Sequence, residues 1–177
     1  LQSNIVGTPT LFFTVNGNKV ALTQGEQIAV RSSMQNVDHV DIQNAPVVFL
    51  GYGVKAPERN WDDFKGVDVK GKTILVLIND PQVPDPSDSS KLDAALFNGK
   101  AMTYYGRWTY KFEEGSRRGA AGILIVHESG AAGYPFSVVQ GNLRERFDLV
   151  APDKNMGRAS IEGWLTLDAT RKLLAQA

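Results

Sequence analysis

The apolar positions of the chain fall in short runs, and most of these runs predict β-strands. Residues 10–15 and 18–22 are apolar and β-branched runs on either side of Asn16-Gly17. An Asn-Gly pair between such runs predicts a β-hairpin, because both residues tolerate positive φ. Further strands are predicted at 27–31, 37–43, 47–50, 73–78, 122–126 and 160–167. The continuously apolar run 47–50 is typical of a strand buried on both faces, and 73–78 is the most apolar run and is expected at the centre of a sheet.

Two segments predict helices. Thr109 is a suitable N-cap for a helix over residues 110–118. A second helix is predicted from Asp168, as its N-cap, to Ala177. The segments 79–90 and 129–156 are rich in residues that favour turns and are predicted to be loops, and 56–64 is predicted to be a loop or a short helical turn. Strands outnumber helices in this pattern, so the predicted fold class is mixed α/β and strand-rich.

The first helix also has a patterned surface. Glu113 and Glu114 each precede an arginine by four residues, the favourable order for an ion pair on a helix. Large side chains at one end of a 3–4 spaced stripe and glycines at the other end predict a helix that lies close against a sheet. The stripe consists of Trp108, Phe112, Gly115 and Gly119.

Composition excludes several classes of protein. Nineteen basic residues balance nineteen acidic ones, so net charge gives no support to binding of nucleic acid or an anionic membrane. No apolar run approaches the length needed to span a bilayer. The chain has no cysteine, which removes disulfides, thiolate zinc sites and cysteine nucleophiles.

Three motifs in the sequence are candidates for chemistry. Residues 51–56 match the spacing of a dinucleotide fingerprint, but Pro57 follows where a helix should open, so a strand-ending turn is predicted. His127-Glu128 lacks the second histidine of a zinc motif, and His127 is expected at the end of its strand with local hydrogen bonds. The loop acids match no known metal-binding spacing and are interpreted as solvated; they are Asp62, Asp63, Asp80, Asp85 and Asp88.

An aromatic turn around Gly106 is the best candidate for recognition. Aromatic rings beside an arginine can hold a peptide terminus or a partner side chain. The candidate substrate-binding residues are Tyr104, Tyr105, Arg107 and Trp108, with Tyr110 close by. A structural alternative stays open, in which Trp108 and one tyrosine pack under the helix and Arg107 is tied to a carboxylate.

Three blocks of sequence follow one another in a specific order. The first is 47–54 with 56–58 and 61–73, the second is the run 73–78 followed by Asn79-Asp80-Pro81, and the third is 102–128. In this order they resemble the protease-associated (PA) domain of bacterial M28-family zinc aminopeptidases. Glu162-Gly163-Trp164 and the closing helix extend the resemblance to the end of the chain.

The resemblance implies one PA-type domain over residues 1–177, either a β-sandwich or an open sheet flanked by a few short helices. Residues 1–44 would be flanking strands, 45–167 the PA core and 168–177 a terminal helix. The catalytic peptidase domain and its zinc would lie outside the chain. No position here matches the family's zinc-ligand motifs, so no catalytic residue, metal residue or cofactor is assigned.

The resemblance further implies a non-catalytic role, in which the domain shapes substrate access or recognition at the peptidase cleft. Its partners would be the peptidase domain of the same chain and a peptide substrate. Because the chain starts at Leu1 without an initiator Met or a signal peptide, we expect a fragment of a longer protein. The resemblance implies that this protein is periplasmic or extracellular. The alternative function is a free-standing module that binds a peptide or a sugar.

Overall fold

The computed structural model of the chain describes residues 2–3, 6–140 and 146–177. The strands of this part are β1 (Gln2–Ser3), β2 (Leu11–Val15), β3 (Asn18–Leu22), β4 (Ile28–Ser32), β5 (Val47–Phe49), β6 (Lys55–Ala56), β7 (Trp61–Asp62), β8 (Thr73–Leu77), β9 (Pro84–Asp85), β10 (Asp88–Leu92), β11 (Gly122–His127), β12 (Arg146–Phe147) and β13 (Ile161–Thr166). The helices are α1 (Ala94–Phe97), α2 (Trp108–Arg117), α3 (Ser129–Ala132), α4 (Ser137–Gln140) and α5 (Leu167–Leu174), with 3-10 turns at Pro57–Arg59 and Tyr104–Gly106. The predicted mixed α/β, strand-rich class with a few short helices is confirmed.

A five-stranded open sheet in the order β4-β13-β11-β8-β5 organises the fold. Strands β5, β8, β11 and β13 run parallel, and β4 pairs antiparallel with β13. All six residues of β11 are buried, because this strand has a neighbour on each side and a packed layer on each face. Residues 73–78 were predicted at the centre; β8 lies inside the sheet, but β11 occupies the middle position.

Two hydrophobic cores cover the two faces of this sheet. On one face, Phe112 of α2 packs with Ile74, Ile123 and Trp164. On the other face, the β2–β3 hairpin and α5 pack onto the sheet; their buried residues are Phe13, Leu22, Ala169 and Leu173. Strand β4 and the hairpin belong to residues 1–44, so this part of the chain contributes directly to the sheet and to its packing.

Helix α2 approaches the sheet closely at Gly115. A β-carbon added there would lie 2.6 Å from Cδ1 of Ile123 and 2.9 Å from Cδ1 of Ile74. Only a residue without a side chain permits this spacing, which confirms the close approach predicted from the glycine end of the stripe. The helix starts earlier than predicted, with Arg107 at the N-cap and no side-chain cap, so the assignment of Thr109 as the cap is wrong.

The predicted ion pairs on α2 are formed in part. Glu114 and Arg118 pair as predicted, with 2.7 Å between Oε1 and Nε. Arg117 also pairs with Glu114, one turn back, and not with Glu113. Glu113 accepts a hydrogen bond from Tyr104 instead. A single buried carboxylate therefore holds both arginines at the end of the helix.

The predicted hairpin is confirmed. Strands β2 and β3 pair over five residues each, and Asn16 and Gly17 both have positive φ, at 48° and 79°. Two successive positive φ values give the turn the twist that matches two paired strands. Phe13 and Leu22 on the inner side of the hairpin are buried against the sheet.

The run 47–50 forms a strand in a different position from the predicted one. Strand β5 pairs with β8 alone and lies at the edge of the sheet. Val47 and Phe49 are exposed on one face, whereas Val48 and Leu50 pack on the α2 side. Burial on both faces is therefore wrong, because the hairpin and α5 layer does not cover Val47 and Phe49.

Residues 37–43 form no strand, contrary to the prediction. Their apolar positions are interrupted by Asp38 and Asp41, and the backbone of Asn36 is bonded to Lys154 instead of to a neighbouring strand. Residues 79–90 are not a plain loop, since β9 and β10 form a small antiparallel pair within and just beyond them.

The last strand and the last helix are adjacent in sequence. Thr166, and not Asp168, is the N-cap of α5, since its side chain accepts a hydrogen bond from the amide of Ala169. Asp168 lies in the first turn, where a carboxylate interacts favourably with the helix dipole.

Among the residues described, no helix is both long and apolar enough to cross a bilayer.

Candidate functional site

The aromatic turn is fixed to the sheet by a buried carboxylate. Asp80 follows β8 and is 1% exposed. Its two oxygens accept hydrogen bonds from the amide and the hydroxyl of Thr103, at 2.6 and 2.7 Å. Thr103 in turn caps the 3-10 turn Tyr104–Gly106. The interpretation of Asp80 as a solvated loop acid is wrong, because its carboxylate is buried and is hydrogen-bonded to the two donors of Thr103 instead of to water.

The other loop acids divide into two groups. Asp63 is half-buried and accepts from the amide of Val54 and the indole of Trp61, and burial raises the pKa of its carboxyl. Solvation is wrong for Asp63 as well. Three acids remain near the surface and close local turns or a salt bridge, as expected of loop acids; they are Asp62, Asp85 and Asp88.

We expect Asp80→Asn to lower the free energy of unfolding by about 1.5 kcal/mol, because an amide can accept only one of the two bonds that a buried carboxylate accepts. Urea denaturation followed by circular dichroism measures this loss. Asp88→Asn is the matched control, since Asp88 accepts from Ser90 at the surface. Equal stability of both variants would contradict the anchoring role of Asp80.

The two candidate tyrosines lie in one cluster with Tyr110. The Tyr105 ring meets the Tyr110 ring edge-to-face at 5.0 Å, and Tyr104 meets it at 5.9 Å. The Tyr105 hydroxyl donates to Glu58 and the Tyr104 hydroxyl to Glu113, at 2.9 and 2.5 Å. Tyr104 is 52% exposed, so its ring face is open although its hydroxyl is occupied.

The other two candidates lie at the start of α2. Arg107 is exposed, and its side chain has no hydrogen bond or ion pair with any residue that the structure describes. The part of the structural alternative that ties Arg107 to a carboxylate is therefore wrong for the described residues, whereas the packing of Trp108 and of a tyrosine that it also expects is present. Trp108 is 38% exposed and packs edge-on against Phe112 and Trp164. The four candidates do not form one cage, because Trp108 packs with a different set of rings from Tyr104 and Tyr105.

A groove of about 670 Å³ begins at Trp108 and was not found from the sequence. Besides Trp108 and Phe112 it is lined by charged side chains of α2 and of three other segments; they are Glu113, Arg117, Arg31, Arg146, Asp148, Arg158 and Glu162. These residues are scattered along the chain, and only the pairing of β4 with β13 brings Arg31 to Glu162. No local sequence signal marks this conjunction.

A second cavity, of about 460 Å³, opens at the carboxyl ends of β8 and β11. Ligands of open parallel sheets commonly bind at this edge. Leu77 and Val126 line the cavity together with the polar side chains of Tyr52, Lys100 and Glu128. Lys100 and Glu128 are both exposed, so opposite charges face solvent at this edge.

Beside this cavity lies a buried lysine that was not predicted from the sequence. Lys111 is 1% exposed, and its Nζ donates to the carbonyls of Tyr52 and Asn79 at 2.6 and 3.1 Å. Burial lowers its pKa to about 7, although Asp80 and Asp63 act in the opposite direction. A signal was present: position 111 lies three residues after Trp108 and four before Gly115, and therefore on the same side of the helix as the stripe predicted to face the sheet.

The side chain of His127 lies in an aromatic environment. His127 ends β11 as predicted, is buried, and packs against Tyr134 and Phe136. Burial lowers its pKa, while hydrogen bonds with the backbone of His127 and Tyr134 oppose the shift. Its Nε2 has no hydrogen-bond partner among the described residues. Within residues 2–3, 6–140 and 146–177, no three His, Asp or Glu side chains are grouped to hold a metal ion.

The glycine-rich segment 51–56 is a turn. Gly51 and Gly53 have positive φ, and the chain continues into β6 and the 3-10 turn Pro57–Arg59 and not into an α-helix. The prediction of a strand-ending turn is confirmed, and no helix N-terminus is available there for a pyrophosphate.

Comparison of the chain with protein-family models, with curated proteins and with solved structures finds no match.

Proposed function

We propose that the chain is a non-catalytic, PA-type recognition domain of an exported M28-type zinc aminopeptidase, and that it contacts the peptide substrate through the surface around Arg107 and Trp108. The observation that supports this proposal is the exposed side chain of Arg107, unpaired among the described residues, on a fixed backbone. Its guanidinium is exposed and free of bonds within the described residues, yet its backbone is the N-cap of a packed helix.

Rigid support is what makes such a group suitable for recognition. The 3-10 turn that precedes Arg107 is held by Asp80 through Thr103, and Gly115 holds α2 close to the sheet. A charged side chain on a fixed backbone loses little backbone entropy when it binds a partner. Exposed aromatic rings on either side, Tyr104 and Trp108, offer stacking surface for a peptide.

The chemistry of hydrolysis is assigned to the peptidase domain of the parent protein, which would also carry the zinc. A hydrolytic zinc site uses three protein ligands and an open position. His127 does not fit this requirement, because aromatic rings surround it. In this proposal the chain contributes binding and access, and no step of bond cleavage is routed through its residues.

Arg107→Ala in the full-length parent enzyme tests the proposal. We expect KM for peptide substrates to rise about fivefold with kcat nearly unchanged, because the guanidinium binds substrate and transition state alike. Steady-state kinetics with peptides of three or more residues measures this effect. Arg171→Ala, an exposed arginine on α5, is the matched control. Unchanged KM in Arg107→Ala would contradict the proposal.

The parent gene provides an independent test. The proposal expects the reading frame around this segment to encode a peptidase domain rich in His, Asp and Glu zinc ligands. A reading frame that encodes this segment alone would instead favour the free-standing binding module.

A further inference from the structure

The groove beyond Trp108 has an apolar wall and a basic wall. Trp108 and Phe112 of α2 form the apolar side, and their rings meet at 5.8 Å. Behind them Trp164 lies 6.0 Å from Trp108 and 5.2 Å from Phe112. The indole of Trp108 is the part of this stack that reaches solvent.

Arginines from three segments form the basic side. The guanidinium of Arg31 lies 5.0 Å from the ring of Trp164 and 6.0 Å from that of Trp108. It pairs with the buried carboxylate of Glu162 at 3.3 Å. Arg158 pairs with Asp148 at 2.5 Å. Each of these two arginines therefore has a carboxylate partner.

Arg146 is the exception. Its Nη2 donates to the carbonyl of Ser32 at 2.5 Å, and no carboxylate of the described residues lies within ion-pair distance. Burial and the neighbouring charge of Arg31 lower its pKa to about 10, against the longer-range attraction of Glu162 and Asp148. A guanidinium that is partly desolvated beside like charges gains from an added carboxylate, to which it can bind in a two-pronged geometry.

We propose that this groove binds the C-terminal residue of a peptide, with its carboxylate on Arg146 and its side chain against Trp108 and Phe112. A C-terminal residue is the occupant that fits, because it carries a carboxylate and an apolar side chain on one carbon atom. Four arginines and three acids line the groove, so its charge is positive by one; this charge and the apolar wall are complementary to these two groups.

This assignment builds on the proposed function. An aminopeptidase acts on the amino end of its substrate, so the carboxyl end is the part left for a neighbouring domain to hold. The groove and the Arg107 surface adjoin through Trp108. The chain would therefore select short peptides with a free carboxyl end and an apolar last residue.

Calorimetric titration of the chain with the peptide acetyl-Ala-Ala-Phe and with its C-terminal amide tests the inference. We expect the free acid to bind at least about tenfold more tightly than the amide, since one charge-assisted contact is lost. Arg146→Gln should abolish the difference, whereas Arg171→Gln should preserve it. Thermal unfolding checks that Arg146→Gln is folded; if it is not, the comparison of acid and amide on the native chain decides.

Equal binding of acid and amide would overturn the groove assignment, as would the absence of binding by both. A third peptide, acetyl-Glu-Ala-Phe-amide, separates a side-chain carboxylate from a terminal one, and binding of this peptide as tight as that of the free acid would also overturn it. None of these results alters the kinetics expected of Arg107→Ala in the parent enzyme, so the two proposals fail separately.

Discussion

Substitution of Gly163 by alanine is expected to lower the free energy of unfolding by about 3 kcal/mol. Gly163 lies in β13, paired with Val30 of β4. An added β-carbon would lie 2.6 Å from Cγ1 of Val30 and 2.8 Å from the carbonyl oxygen of Ala29. The second of these atoms belongs to the backbone of the paired strand, so the clash is relieved only by displacing β4 from the sheet.

Urea denaturation measured by tryptophan fluorescence and circular dichroism gives this value. Gly130→Ala is the control, since its nearest neighbour is the flexible end of Glu128 at 3.9 Å and no stability should be lost. A loss below about 1 kcal/mol in Gly163→Ala would contradict the packing of β4 on β13.

Raising the pH from 7 to 9 is expected to stabilise the chain by about 2 kcal/mol through Lys111 alone. Burial lowers the pKa of the Lys111 ammonium to about 7, whereas the pKa of a lysine in the unfolded chain is ~10.4. Between these values the unfolded state binds a proton that the folded state has released. The free energy of unfolding therefore rises with pH across this window and levels off above it.

Lys111→Met supplies the comparison for this effect. The variant keeps a long side chain in the buried position but cannot titrate. Urea denaturation at pH 7, 8 and 9 should show a slope for the native chain that exceeds the slope of Lys111→Met. Lys172→Met is the control for a solvent-exposed lysine and should follow the native chain. Identical slopes for the native chain and Lys111→Met would show that Lys111 remains charged when buried.

The fold was predictable where local pattern decides the structure. The Asn16-Gly17 hairpin follows from two residues that accept positive φ, and the close approach of α2 follows from Gly115. Prediction failed where the position of a segment in the sheet depends on which other segments lie next to it. The run 47–50 became an edge strand because sheet order, which no local pattern encodes, leaves β5 with one partner.

The candidate site shows the same division. Arg107 and Trp108 are adjacent in sequence, and both are exposed as a recognition surface requires. The groove depends on residues from three distant segments, which come together through the pairing of β4 with β13 and the hydrogen bond from Arg146 to the carbonyl of Ser32. Asp80 was predicted to be solvated because loop acids usually are. In the structure the carboxylate of Asp80 instead accepts two hydrogen bonds from Thr103.

We propose that the chain recognises peptides and does not cleave them. One titration tests both parts of this proposal. The peptide Leu-Ala-Phe, with a free amino terminus, is added to the isotope-labelled chain in the presence of Zn²⁺. NMR signals of the protein and of the peptide are recorded in the same sample. The account predicts shifts concentrated around Arg107, Trp108 and Arg146, with the peptide intact throughout. Release of free leucine that EDTA abolishes, or a peptide that leaves these signals unmoved, would contradict it.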